Sequence, residues 1–121
     1  FDMNLIEFIE LNSFSRLTNL AHLVLSRNRL NQLNLSTFNS LINLQYLNLS
    51  LNQLETIEEN LFSNLLNLIE LDLSRNFIKT IAAYSFSNLK KIEKIFLNQN
   101  SVKFLFNTKE TLYGLISIKF I

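Results

Sequence analysis

The chain has 121 residues, 48% of them hydrophobic and 17% charged, with 11 Lys and Arg against 10 Asp and Glu. A net charge of +1 leaves no footprint for nucleic acid or an anionic membrane surface, and the apolar share excludes a disordered chain. Cysteine is absent, which excludes disulfides, thiolate metal sites and a Cys nucleophile, and no apolar run approaches the ~18 residues of a membrane span.

Pro is absent and Gly occurs once, where a globular domain carries about 5% Pro and 7% Gly to make its turns. The chain is instead rich in Asn, which tolerates the left-handed region and caps its own turns. Many similar turns built on Asn are therefore expected.

Residues 1–19 open a pattern that every later segment repeats. Asn4 returns as Asn28, Asn52, Asn76 and Asn100, each step 24 residues. Phe14 returns as Phe38, Phe62 and Phe86, and Leu17 as Leu41, Leu65 and Leu89. Ile6 returns as Leu30, Leu54, Ile78 and Val102, and Ile9 as Leu33, Ile57, Ile81 and Leu105. The pair Leu23/Leu25 returns as Leu47/Leu49, Leu71/Leu73 and Ile95/Leu97. Columns in phase over this many copies define a repeat.

Residues 1–19 are the last part of a unit entered at its sixth position. Units 20–43, 44–67 and 68–91 are complete and read L-x-x-L-x-L-x-x-N-x-L-x-x-L-x-x-x-x-F-x-x-L-x-x, with Ile for Leu at some places. Unit 92–117 begins regularly at Ile92, Ile95, Leu97 and Asn100, then breaks over 106–111, where Glu110 stands at the Phe position. A shift of two residues restores the frame at Leu112 and Leu115, and Ile118 and Ile121 open a truncated unit, 118–121. One continuous coil without an internal boundary follows. Because it starts and stops inside a unit, it reads as an internal segment of a longer protein.

Within each unit positions four and six are apolar, and positions three, five and seven are mostly polar. That alternation is a strand. Strands one period apart run in the same direction and lie parallel, ~4.8 Å from each other. The rest of each unit returns on the opposite side, too short for a long helix, and the apolar columns stack into one core that no unit could close alone. The Asn column (Asn4, Asn28, Asn52, Asn76, Asn100) follows the strand where the chain turns inward. A buried Asn carries two donors and an acceptor, enough to satisfy several backbone groups and link successive turns. The Phe column (Phe14, Phe38, Phe62, Phe86) fills the convex side of the core.

The segments LAHLVLSRNRLNQL, LQYLNLSLNQLETI and LIELDLSRNFIKTI carry a pattern that resembles the leucine-rich repeat, in its 24-residue subclass with Phe at position nineteen. The resemblance covers essentially the whole chain. It implies an α/β-class horseshoe solenoid with a parallel β-sheet on the concave face and a mostly irregular convex side. It also implies binding of protein, glycan or lipid ligands rather than catalysis. This subclass is found mostly in animal extracellular proteins such as Toll-like receptors, guidance proteins, matrix proteoglycans and adhesion proteins. The Cys-rich caps of such solenoids are missing here.

The candidate binding surface is the concave sheet, whose outward columns are expected at positions three, five, seven and eight. Position three reads His22, Tyr46, Glu70, Lys94 and Phe120; position five reads Val24, Asn48, Asp72 and Phe96; position eight reads Met3, Arg27, Leu51, Arg75 and Gln99. These columns vary while the core columns repeat, and they mix aromatics, arginines and acids. Tyr, Phe and Arg are the residues enriched at interfaces. The expected ligand-binding residues are His22, Val24, Arg27, Tyr46, Asn48, Leu51, Glu70, Asp72, Arg75, Lys94, Phe96 and Gln99. Phe96 beside Tyr46 and Leu51 is expected to form an exposed apolar patch. Position seven (Asp2, Ser26, Ser50, Ser74, Asn98) is small and polar throughout and reads as structural.

Charge is uneven along the coil: residues 1–60 carry −3 and residues 61–121 carry +4. Such a run is more often a solvated face than a steering field. Two glycosylation sequons occur, Asn34-Leu35-Ser36 on the return segment and Asn48-Leu49-Ser50 on the concave strand. They matter only on a secretory route, and a glycan on Asn48 would block the centre of the binding face.

Catalysis is tested by geometry. His22 is the sole His, so any Ser-His-Asp set must use it. Ser26 is ~13 Å along the strand and Asp72 is two strands away, ~10 Å, while a base must reach its partner at roughly 2.6–3.2 Å. No metal-ligand spacing or phosphate loop is present. The expectation is a non-catalytic binding module of an extracellular or cell-surface recognition receptor. Its first ligand class is protein, with glycan or lipid beside it, and signalling lies in parts outside this segment. The alternatives are a cytoplasmic leucine-rich repeat scaffold or regulatory protein, and an extracellular matrix or adhesion protein. No cofactor, metal, nucleic acid or membrane contact of the segment itself is expected.

Overall fold

The computed structural model describes residues 3–102, together with the backbone of residues 104–105 and 119–120. The strands in chain order are β1 (His22–Val24), β2 (Tyr46–Asn48), β3 (Thr56–Ile57), β4 (Glu70–Asp72), β5 (Thr80–Ile81), β6 (Lys94–Phe96), β7 (Phe104–Leu105) and β8 (Lys119–Phe120). They form a horseshoe solenoid. The main sheet has the order β1-β2-β4-β6-β8, with every pair parallel. Leu23, Leu47, Leu71 and Ile95 stand in one register row, each 24 residues from the next.

β1, β2, β4 and β6 are each three residues long, with the middle residue buried and the outer two turned away from the core. The ladder continues past the strands. Leu25, Leu49 and Leu73 donate their N–H to the carbonyls of Asn48, Asp72 and Phe96. Met3, Arg27, Leu51 and Arg75 donate to Ser26, Ser50, Ser74 and Asn98.

A second, three-stranded parallel sheet, β3-β5-β7, lies on the return side, with Ile57, Ile81 and Leu105 in one row. The pairing carries the regular frame as far as Leu105. The next step differs from the sequence frame. Lys119 stands opposite Lys94 and Phe120 opposite Ile95, an offset of 25, where the shift of two residues set Phe120 opposite Lys94. The apolar matches at Leu112 and Leu115 set the sequence frame, but the backbone ladder sets the pairing. A slip of one residue exchanges the position-three and position-four rows. Phe120 therefore does not extend the position-three row. The 106–111 break, Glu110, Leu112 and Leu115 lie outside the described residues.

No helix occurs among the described residues. The return side is a string of turns over 11–16, 35–40, 59–64 and 83–88. Each is closed by an N–H donating three residues back: Leu17 to Phe14, Leu41 to Phe38, Leu65 to Phe62 and Leu89 to Phe86. These hydrogen-bonded turns are made without Pro or Gly.

Asn does not supply most of the left-handed residues. Position eight does: Met3, Arg27, Leu51, Arg75 and Gln99 all have φ between 53° and 57°. A second set is Asn12, Asn60 and Tyr84. Asn contributes through its side chain instead. Asn52 Oδ1 accepts the Leu30 N–H at 3.1 Å, and its Nδ2 faces the carbonyls of Leu25, Leu49 and Ser50 at 3.0, 3.1 and 3.2 Å. Asn76 repeats the set on Leu54, Leu49, Leu73 and Ser74. Asn28 and Asn100 hold Ile6 and Ile78 in the same way. Each Asn thus ties its own turn to the one before.

The Phe column is a continuous stack. Phe38, Phe62 and Phe86 are fully buried, with ring centroids 6.1 and 6.2 Å apart and planes 20° and 12° from parallel. Phe14 is buried at the head of the column.

Candidate binding face

The strand register builds the face row by row. Position three of successive turns aligns His22, Tyr46, Glu70 and Lys94; position five aligns Val24, Asn48, Asp72 and Phe96. Equivalent side chains therefore stand ~4.8 Å apart along each row. His22 meets the Tyr46 ring edge-on, centroids 5.9 Å apart at 74°. Lys94 Nζ lies 3.5 Å from Glu70 Oε2. The upper row is thus an aromatic pair followed by an ion pair.

The lower row is less free than its variability implies. Asn48 Oδ1 accepts the Ser50 N–H at 2.9 Å and the Ser50 hydroxyl at 2.7 Å. Asp72 Oδ1 accepts the same two groups of Ser74 at 2.9 and 2.6 Å. A side chain that bonds the backbone two residues on fixes the chain as it leaves the strand. Asn48 Nδ2 also donates to the Tyr46 hydroxyl at 3.2 Å, joining the two rows. Asn48 and Asp72 therefore hold the strand end as well as lining the face.

Two expectations about this face are corrected. At position seven Ser26, Ser50 and Ser74 are buried and do not point outward, whereas Asn98 is exposed. The apolar patch of Phe96, Tyr46 and Leu51 is not open either, since all three are half-buried. Tight spacing along the rows covers each ring with its neighbours. His22, Arg27, Arg75, Lys94 and Gln99 are exposed, while Val24, Glu70 and Asp72 are half-buried. Position eight lies in the turn beyond the strands, where Arg27 Nη1 approaches Met3 Sδ at 3.2 Å.

Exposed apolar side chains also lie off this face, among them Phe8, Leu35, Ile42, Leu66 and Phe77. Sequence reading passed over them because they occupy non-core columns, and an apolar residue in such a column was the available signal. A second Asn set was also missed. Asn43 and Asn67 donate from the convex turns to the carbonyls of Thr18 and Ile42, and Asn64 and Asn88 to those of Asn39 and Ser63. Among the described residues no three His, Asp or Glu side chains lie close enough to hold a metal ion.

A family model described as leucine rich repeat matches residues 2–54, 18–68 and 42–102. The chain belongs to the leucine-rich repeat family. Among solved structures, this leucine-rich repeat chain is similar to one described as the Toll–Spatzle complex, a molecular hub in Drosophila development and innate immunity. The identity is 36% and the TM-score 0.79, over 80% of this chain and 13% of that one. The leucine-rich repeat segment thus spans a small part of its neighbour's length. No curated protein matches it.

Proposed function

We propose that this leucine-rich repeat segment belongs to an extracellular or cell-surface receptor and binds a protein ligand, without catalysis, through its concave face. The similarity to a chain solved as a Toll–Spatzle complex is the observation that carries the reading. The geometry is compatible with it. A sheet held by side-chain ladders on both sides is rigid, so the rows it presents are preformed and little ordering is needed on binding. Position three supplies the chemistry an interface favours, with an aromatic pair, an acid and a cation in one line. Signalling belongs to other parts of such a receptor.

Site-specific photo-crosslinking on the full-length protein in living cells tests this. A crosslinking residue at position 46 is expected to capture a secreted protein on unpermeabilised cells, and one at position 90, on the convex side, is not. Capture from position 90 alone, or labelling only after permeabilisation, overturns the assignment.

A further inference from the structure

The geometry points to N-glycosylation at Asn34 and not at Asn48, a modification that rests on the secretory route of the reading above. The two sequons share their local shape. Asn34 Oδ1 accepts the Ser36 N–H at 2.9 Å and hydroxyl at 2.7 Å, the same bonds that Asn48 makes to Ser50. Their surroundings differ. Asn34, Leu35 and Ser36 are all exposed where the chain enters the turn at 35–40, and Asn34 Nδ2 has no hydrogen-bond partner among the described residues. Asn48 Nδ2 is engaged by the Tyr46 hydroxyl. Asn48 is paired on both sides, with Val24 and Asp72, and the rest of its sequon, Leu49 and Ser50, is buried at 0% and 7% exposure. A transferase must hold all three sequon residues. Folding hides the Asn48 sequon and leaves the Asn34 sequon presented.

The ground around Asn34 suits a sugar. Asn34 lines a shallow cleft with Phe8, Ile9, Leu33 and Leu35, together with Gln32 and Glu58. Phe8 is 69% exposed and Leu35 49%. The C–H face of a pyranose packs on an aromatic ring, and a glycan here covers an apolar flank that otherwise faces water.

The reaction is a group transfer without redox change. Asn34 Nδ2 attacks the anomeric carbon of a lipid-diphosphate-linked oligosaccharide. The nitrogen–carbon bond forms and the carbon–oxygen bond to the diphosphate breaks. The lipid diphosphate leaves with the electron pair, and the amide proton passes to the transferase's base.

The test directs the full-length protein into microsomes with an appended signal sequence, so that site choice is read whether or not the native chain takes that route. Enzymatic deglycosylation in heavy-oxygen water converts each glycosylated Asn to labelled Asp for peptide mapping. Label at position 34 and none at position 48 is expected. Ser36→Ala should abolish the label and Ser36→Thr retain it, both with Asn34 in place. Label at position 48, or none at position 34, overturns the inference. Protease protection of the native chain tests the route separately, and its failure would count against the receptor reading alone.

Discussion

Asn52 accepts one backbone N–H and faces three backbone carbonyls, all buried. Replacing it with Ala leaves those groups without partners, and each unsatisfied buried group costs roughly 1–3 kcal/mol. Asn52→Ala is therefore expected to destabilise by on the order of 3 kcal/mol, read as a lower urea midpoint at unchanged slope. Asn67 makes a single exposed bond to the Ile42 carbonyl on the convex side, besides accepting from Lys91. Asn67→Ala should cost less than about 1 kcal/mol. Equal losses at the two sites would contradict the ladder account. The ladder was legible in sequence because only one residue type meets its donor and acceptor demand, so Asn recurs without exception. The left-handed position eight was not legible, since its demand falls on φ and the occupants are Met, Arg, Leu, Arg and Gln. What those five share is the absence of a β-branch. Arg75, at φ 53°, tests the point. Arg75→Val should cost about 1–2 kcal/mol, because a β-branched residue is disfavoured there. Arg75→Gly should lie within roughly 0.5 kcal/mol of the parent, relief of the left-handed cost offsetting the entropy of Gly.

At the scale of the element, the Phe column shows how a turn without helix becomes rigid. The rings of Phe38, Phe62 and Phe86 stack in succession, and the i to i−3 bond just after each closes its turn on the core. Phe62 has a stacked ring on both sides, with Phe38 and Phe86. Phe62→Ala should cost about 3–5 kcal/mol, at the upper end for core truncations, because neither neighbour can collapse into the space without leaving its own turn. Calorimetry should show the loss; a shift under about 1 kcal/mol would mean that the column is not a packed spine. The column was legible because a large buried ring tolerates few replacements. The return-side sheet was harder to see. Its strands are two residues long, too short for alternation to register. The repeated pair Thr56-Ile57 and Thr80-Ile81, both β-branched, was the one available sign. The sequence frame failed at Phe120 for a related reason. Hydrophobic matching counts apolar residues, while strand pairing counts backbone units.

Among the described residues, structure passes from each turn to its neighbours. The ladders, the Asn bonds, the ring stacks and the ion pairs Arg29–Glu7, Lys79–Glu55 and Lys94–Glu70 all join one turn to the next. The period made such a stack readable before any geometry was known. The face was less readable, since exposure depends on how rows pack and not on which column a residue occupies. That separates two kinds of apolar side chain for a last prediction. Tyr46 and Phe96 sit half-buried in the concave rows, whereas Phe77 is 56% exposed and off the face. If bare hydrophobicity drew the ligand, Phe77 would matter most. If shape and charge preformed by the sheet draw it, the half-buried rings matter, because interface energy concentrates where water is already excluded. With the partner captured at position 46 as the probe, Tyr46→Ala and Phe96→Ala should each weaken binding by about 2 kcal/mol, roughly 30-fold in Kd. Phe77→Ala should leave Kd within about twofold, since a lone exposed ring outside the contact contributes little. The reverse order in a titration of the full-length protein would move the binding surface from the concave sheet to its flank.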